Sequence, residues 1–414
     1  MNSLSSFKQL WKLLKSHDKE ILLMTFASFL LYSVMISNEL TNTYDGMWRG
    51  DYGYIGPWEL SIGRWFWQYL NYLRLDLAPE PAISIISLLS LNVANFLFVE
   101  KLNLKNRWIR GITWLLLIGN SAVLIFLSYR YMVPTFTISY LLSVLGAYFF
   151  TDSLAIDIKT RKTQVLIDVS FGVLCITFSL GLYQANLGCT LVFICVFLLS
   201  LPDSFFLSKN SFWLKTFVVT IALGISCVLY KILWDVHLYF QHVEASTYNG
   251  ASEVSVRSMI ASLPHSAKIA YVSAIHYFTK GQFNNIYQRY GLPFLILVFV
   301  IILFFIKLIY SKASLTKFVL SSAIIIIMPL CANVSLLLAP EAGGLQLQMT
   351  MPLAMIIPGF IALTMNGESQ VDKKFPVRDF IFLGGESPSF YLAMLCRSPA
   401  INMKCFKRAG QVCC

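Results

Sequence analysis

The sequence predicts an all-α polytopic membrane protein with about ten transmembrane helices. Its 414 residues are 57% hydrophobic and 13% charged, and the mean hydropathy is +0.66. A soluble domain is usually about 45–50% apolar and about 25% charged, so this chain has too few charges for a water-exposed surface. The apolar residues also fall in long blocks, and a helix needs about 20 mostly apolar residues to cross a bilayer.

The spans follow from the positions of these blocks. Apolar runs such as 301–306 and 324–327 do not alternate with polar residues, as transmembrane strands do, so helices are predicted. The basic N-terminus resembles the start of a signal peptide, but no small-residue cleavage site follows the first block, which is therefore predicted to be an uncleaved helix. The predicted spans lie near 20–36, 81–99, 111–128, 133–151, 165–182, 187–202, 213–233, 291–306, 318–338 and 349–366.

The distribution of Lys and Arg predicts the orientation. Cytoplasmic loops hold the excess of these residues, and most of the 32 in this chain fall in segments that share a side with the N-terminus. Both termini are therefore predicted to be cytoplasmic, with two large external segments, 37–80 and 234–290. The net charge of +11 then reflects short basic loops that face anionic lipid headgroups, and it does not indicate nucleic-acid binding.

A single membrane-embedded domain is predicted over 1–366, followed by a cytoplasmic tail. Residues 367–414 are broken by Gly, Ser and Pro, fit no span and are expected to be poorly ordered. Within 234–290, helical apolar spacing occurs over 254–263 and 267–277. The His residues of that segment lack metal-ligand spacing, and no external segment holds a Cys, so neither a metal site nor a disulfide is predicted. A requirement for a divalent metal stays open.

The first external segment combines acids with aromatic rings, as sugar-binding sites do. Carboxylates such as Glu39, Asp45 and Asp51 can accept hydrogen bonds from sugar hydroxyls, and rings such as Trp65 can stack on the C–H face of a pyranose. The alternative is an aromatic belt at the membrane interface with ordinary solvated acids. Asp45 stands out because it closely follows the first span, in a Tyr-Asp-Gly turn.

Two external arginines could supply the positive charge that a phosphate group needs. Arg64 precedes an amphipathic stretch over 65–73; its planar fork suits a phosphate, and the alternative is an anchor for that stretch among lipid headgroups. Arg130 lies in the tight link between the third and fourth spans, where it either snorkels or contacts a lipid phosphate. Tyr183 and Gln184 place polar groups at the outer rim, between the fifth and sixth spans.

These external residues resemble the GtrII-type glucosyltransferase family of bacteria. The resemblance rests on the acid after the first span (Asp45), on Gly-Arg-Trp at 63–65 and on Leu-Tyr-Gln at 182–184, and hydropathy and length agree over residues 20–366. It implies a GT-C-like, multi-pass enzyme of the bacterial plasma membrane. Such an enzyme takes a sugar, here glucose, from a polyprenyl-phosphate donor in the membrane and passes it to a surface polysaccharide outside.

The resemblance also implies roles for particular residues. A carboxylate in the first external loop is the usual acid/base candidate, and Asp45 occupies that position; many relatives carry Asp-Asp there, whereas this chain has Tyr44 before Asp45. The acceptor hydroxyl would lose its proton to Asp45 in a direct displacement, while Arg64 and Arg130 face the leaving phosphate. The lipid-linked sugar is a substrate, so no cofactor is expected. The further candidates for substrate binding are Glu39, Asp51, Trp65, Tyr183 and Gln184.

Two other functions stay open from the sequence. A polysaccharide polymerase also has many spans and a large external loop, but it is expected to use external arginines more heavily than 234–290, which has Arg257 and Arg289. A non-catalytic lipid-sugar flippase needs a polar path through spans that are strongly apolar here. No P-loop or dinucleotide-binding motif occurs, in keeping with a donor that is already activated by its lipid phosphate.

Overall fold

The computed structural model describes residues 5–41, 57–75, 77–155, 162–207, 209–247, 256–280, 291–338 and 344–365. This part of the chain is 83% helix and contains no strand. Six of its helices are long and apolar enough to cross a membrane, and there are up to 7 spans if one bent pair is counted as a span. The prediction of an all-helical polytopic membrane protein is confirmed, whereas the number of about ten spans and the orientation stay predictions.

Helices occupy all the predicted apolar blocks, but several blocks are broken into short pieces. The helices are α1 (Ser5–Ser16), α2 (Asp18–Leu31), α3 (Ser33–Ser37), α4 (Pro57–Ser61), α5 (Trp67–Leu73), α6 (Ala82–Lys101), α7 (Arg107–Ile118), α8 (Ser121–Ser128), α9 (Val133–Ala155), α10 (Lys162–Leu182), α11 (Leu187–Ser200), α12 (Asp203–Leu207), α13 (Lys209–Gln241), α14 (Val256–Thr279), α15 (Leu292–Tyr310), α16 (Leu315–Ala332), α17 (Ser335–Leu338), α18 (Met351–Ala354) and α19 (Ile356–Met365).

The bend between α7 and α8 shows why a continuous apolar block need not give one straight span. The two helices meet at 46°. Asn120 stands at the break, and its side-chain oxygen accepts hydrogen bonds from the backbone N–H groups of Ala122 and Val123 at 2.9 and 3.2 Å. This is an N-cap, which satisfies donors that a new helix leaves open, so the polar residue starts a second helix inside the block.

Helix α9 lies at the centre of the bundle and packs mainly on α10 and α6. Small residues permit the close approach to α10, since a Cβ on Gly146 would lie 2.4 Å from Ile176 and a Cβ on Gly172 would lie 2.4 Å from Phe150. Hydroxyl groups add interhelical bonds: the Ser139 side chain donates to the carbonyl of Ser179 at 3.0 Å. Close packing and interhelical hydrogen bonds of this kind therefore hold the core together, in keeping with a bilayer environment.

The outer helices present apolar surface to the surroundings. In α9, 72% of the most apolar 18-residue stretch is buried inside the protein, whereas the corresponding share is 17% in each of α13, α15 and α16. Their exposed side chains include Phe217, Ile302 and Ile326. Such a surface is stable only against lipid, which agrees with membrane embedding.

The second predicted external segment is helical over most of its described length. Helix α13 continues to Gln241, past the predicted span end at 233, and the two predicted stretches at 254–263 and 267–277 are parts of the single helix α14, with Pro264 inside it. The extension of α13 matters for the site, because its last turns contact the Gly-Arg-Trp segment.

Candidate functional site

Three connecting segments lie together at one end of the bundle. Residues 57–81 precede α6, residues 129–132 precede α9, and residues 183–186 follow α10. Because α9 starts and its neighbour α10 finishes at this end, the connections are brought side by side. We call this end of the bundle the site end. The opposite end carries the ion pairs of Lys101 with Asp152 and of Arg110 with Glu100, and we call it the far end.

The Gly-Arg-Trp segment forms a tight turn after α4. Gly63 has φ of +89°, a left-handed conformation that favours glycine. A Cβ there would also lie 2.1 Å from the Tyr230 hydroxyl oxygen and 2.8 Å from Nε2 of Gln184. The backbone N–H of Arg64 closes the turn by donating to the carbonyl of Glu59 at 2.9 Å. Glycine at position 63 is therefore required by both conformation and space.

Gln184 links the Gly-Arg-Trp segment at 63–65 to the Leu-Tyr-Gln segment at 182–184, which is far from it in sequence. Its side-chain Nε2 donates to the carbonyl of Ile62 at 2.8 Å and to the Tyr230 hydroxyl at 2.9 Å. The Phe66 N–H donates to the carbonyl of Gly181 at 2.9 Å, which adds a second link between the segments. Gln184 thus positions the turn that carries Arg64, and any direct contact with substrate stays a prediction.

Trp65 is buried inside this arrangement, with 3% of its surface exposed. Its ring lies 5.0 Å from that of His237 and 5.7 Å from that of Phe178, measured between centroids. A Cβ on Gly181 would lie 2.7 Å from the indole. Trp65 therefore packs the turn against α10 and α13. The predicted sugar contact is not tested by this placement alone.

Arg64 lies half-buried between two aromatic rings. Its Cζ is 5.3 Å from the ring centroid of Tyr183 and 5.8 Å from that of Trp67. Its Nε is buried without a hydrogen-bond partner, and no carboxylate pairs with it in the described part of the chain. Cation–π contacts hold the guanidinium in place, while its Nε–H group has no acceptor. Burial raises the pKa of the Tyr183 phenol and the Arg64 charge partly opposes this, so the phenol is neutral.

Arg130 is placed differently, because it contacts two carboxylates. Its Nη1 lies 3.2 Å from Glu39 Oε2, and its Nε lies 3.6 Å from Glu80 Oε1. Glu80 also accepts a hydrogen bond from the Ser84 hydroxyl at 2.9 Å. When all three groups are ionised, the cluster carries one more negative than positive charge, which repels a phosphate. The structure thus pairs the exposed Glu39 with Arg130, and the net negative charge of the cluster favours Arg64 over Arg130 as the phosphate contact.

Tyr131 connects the Arg130 cluster to the Arg64 turn. Its ring stacks on that of Trp67 with 5.9 Å between centroids. Its carbonyl accepts a hydrogen bond from Nη2 of Arg74 at 2.9 Å, and Nε of Arg74 donates to the Asn71 side chain at 2.8 Å. The contacts run without a break from Arg64 through Trp67 and Tyr131 to Arg74, so the site end forms one connected surface.

Several residues of this surface were not singled out from the sequence. Trp67, Glu80 and Arg74 belong to the first external segment, but nothing in the local pattern separates them from its other aromatic and charged residues. Tyr230 lies inside a predicted span, and its polar role shows only in the contact with Gln184. The structure is needed to recognise these residues, because their contacts are with partners that are remote in sequence, such as Tyr131 and Gln184.

Two predicted residues lie outside the described part of the chain. These are Asp45, the candidate base, and Asp51. Within the described ranges, no group of three or more His, Cys, Asp or Glu residues could hold a metal ion. The carboxylates Glu39 and Glu80 are engaged by Arg130. Metal dependence itself stays untested.

A comparison with known families decides the assignment. A family model described as Glucosyl transferase GtrII matches residues 15–364. The chain belongs to the GtrII glucosyltransferase family. No curated protein and no solved structure matches the chain. The GtrII match includes every segment of the site end, and together with the long apolar helices it makes the protein a membrane glycosyltransferase, with a sugar donor and an acceptor as its substrates.

Proposed function

We propose that this GtrII-family protein transfers a sugar, glucose, from a polyprenyl-phosphate donor to a cell-surface polysaccharide on the outer face of a bacterial plasma membrane. The observation that carries the proposal is the Arg64 guanidinium. It lies at the end of an apolar bundle, half-buried and without a carboxylate partner in the described residues. A cation so placed suits the phosphate of a lipid whose chain remains in the bilayer.

The proposed chemistry is a single displacement. The oxygen of an acceptor hydroxyl attacks the anomeric carbon, the bond from that carbon to the phosphate oxygen breaks, and the bonding electrons stay on the phosphate. The hydroxyl proton passes to Asp45, which we propose as the general base. Arg64 stabilises the negative charge that grows on the leaving phosphate.

The arrangement of the membrane domain supports this proposal. We assign residues 1–366 to one membrane domain and place both termini in the cytoplasm, so the site end faces outward. The exposed apolar faces of α13, α15 and α16 offer a surface along which a polyprenyl chain could lie. No cofactor is needed, because the donor's phosphate is already an activated leaving group.

Purified protein in nanodiscs tests the proposal directly. Radiolabelled polyprenyl-phosphate-glucose and cell-surface polysaccharide are supplied to the wild type and to Asp45→Asn, with folding checked by monodisperse elution. Label in the polymer with the wild type and a loss of at least about a hundredfold with Asp45→Asn are expected. Equal transfer by both proteins would remove Asp45 as the base but keep the transferase. Failure of the wild type with this donor and with other polyprenyl-phosphate sugars would contradict the proposed function.

A further inference from the structure

Trp67 carries a second unused hydrogen-bond donor beside Arg64. The residue is 1% exposed, and its indole Nε1 has no hydrogen-bond partner. A buried N–H without a partner is unfavourable, because the group loses its bonds to water and gains nothing in return. Two such donors, Arg64 Nε and Trp67 Nε1, belong to side chains that touch each other, with the Arg64 Cζ 5.8 Å from the Trp67 ring centroid.

Neighbouring groups do not account for this pair of donors. Among the other arginines whose side chains the structure describes, Arg74, Arg110 and Arg130 each donate at least one hydrogen bond to a carbonyl, an amide oxygen or a carboxylate, and Arg107 is exposed. Arg64 is half-buried and makes none of these contacts within the described residues. The site end therefore holds a positive charge and a neutral N–H donor that are both oriented by packing and both unsatisfied.

The other unsatisfied indole at this end does not have room for a ligand. Trp65 Nε1 is also buried without a partner, but it lies only 3.0 Å from the position of a Cβ on Gly181. The Trp65 ring is enclosed by Phe178 and His237. Trp67 instead stacks on the ring of Tyr131 and contacts the side chain of Arg64, which is partly exposed.

We infer that Arg64 and Trp67 together bind the phosphate group of the lipid-linked donor, with the guanidinium and the indole N–H donating to oxygens of the same phosphate. The inference rests on the proposed function for the identity of the lipid, and it adds Trp67 as a binding residue. The Arg64 charge supplies attraction for the anion. The indole N–H fixes the orientation of the phosphate, because a single donor on a rigid stacked ring allows one direction of approach.

Binding of a short lipid phosphate isolates this contact from catalysis. The full-length protein is placed in phosphatidylcholine nanodiscs and titrated with farnesyl monophosphate, with uncharged farnesol and with inorganic phosphate. We expect farnesyl monophosphate to bind at least about tenfold more tightly than farnesol. Trp67→Phe keeps the ring and removes the N–H, and it should weaken farnesyl monophosphate about tenfold while leaving farnesol unchanged.

Two further variants make the result specific. Trp114→Phe is the matched control, since Trp114 is a partly buried residue of α7 that is not part of the site end, and its Nε1 donates to the Asn92 side-chain oxygen at 2.6 Å. It should leave farnesyl monophosphate affinity unchanged. The double variant Arg64→Gln/Trp67→Phe should lose less than the product of the single losses, because both residues contact one phosphate.

Each contrary outcome has a separate meaning. Wild-type affinity in Trp67→Phe, or an equal loss in Trp114→Phe, would overturn the inference. Inorganic phosphate competing as well as the lipid phosphate would overturn the lipid assignment. A wild type that binds farnesyl monophosphate but transfers no sugar would contradict the proposed function and leave the anion site standing, whereas transfer with no role for Trp67 in binding would do the reverse.

Discussion

Gly63 shows how one residue determines the geometry of the site. Its left-handed backbone turns the chain after α4, and the absence of a side chain lets Gln184 and Tyr230 contact the turn. The same turn sets the direction in which Arg64 leaves the backbone. A side chain at position 63 would meet both a conformational penalty and an overlap with Tyr230, so the effect on stability is expected to exceed that of an ordinary surface change.

Gly63→Ala should therefore destabilise the protein by about 1–3 kcal/mol. Gly224→Ala is the matched control, because a Cβ on Gly224, inside α13, meets nothing within 4 Å. In a helix interior, alanine is favoured over glycine by about 0.5–1 kcal/mol, so this variant should be neutral or more stable. Thermal unfolding in detergent compares the two proteins. Equal Tm values for both variants would show that the turn is not constrained as described.

At the scale of elements, Arg130 ties together the two borders of the first external segment. Glu39 follows α3 and Glu80 precedes α6, and both contact the arginine that stands before α9. The side chain of Glu80 is 7% exposed and that of Glu39 is 62% exposed. The buried carboxylate depends on Arg130 far more than the exposed one does, since losing a partner leaves a charge in a medium of low polarity.

Arg130→Gln should lower the free energy of unfolding by about 3–5 kcal/mol, because Glu80 is then left buried and charged. Glu39→Gln should cost about 0–1 kcal/mol, as for an exposed pair. Adding Glu80→Gln to Arg130→Gln should recover part of the loss. Thermal and denaturant unfolding of the single and double variants measures these differences. A large loss of stability in Glu39→Gln, or no recovery in the double variant, would contradict the proposed dependence of Glu80 on Arg130.

At the scale of the whole molecule, the sequence predicts where the chain is apolar better than how the apolar blocks fold. Each predicted block is helical, because burying a backbone in lipid leaves few alternatives. The breaks follow from local capping, such as Asn120 between α7 and α8, and from tertiary packing, which average hydropathy does not register. Hydropathy alone therefore does not show where an apolar block is divided into shorter helices.

The candidate site could be predicted only in part, because a sequence shows residue types and local positions but not contacts between remote segments. The residue type and external position pointed to Arg64, the position between two spans pointed to Tyr183 and Gln184, and the structure brings these three together. The pairing of Arg130 with Glu80 and the contact between Trp67 and Tyr131 join remote segments, and a single sequence holds no record of such distances. These contacts distinguish Arg130, which pairs with two carboxylates, from Arg64, which pairs with none in the described part of the chain.

Comparing an arginine at each end of the bundle tests directly whether the sugar leaves its phosphate at Arg64. Arg107 lies at the far end, exposed, with its Cζ 5.6 Å from the Trp108 ring centroid, so Arg107→Gln removes the same charge and a similar cation–π contact. The measurement is kcat/KM for labelled polyprenyl-phosphate-glucose in nanodiscs. We expect a loss of about 10²–10³ in kcat/KM for Arg64→Gln and wild-type values for Arg107→Gln. Equal values for the two variants would contradict the proposed role of Arg64.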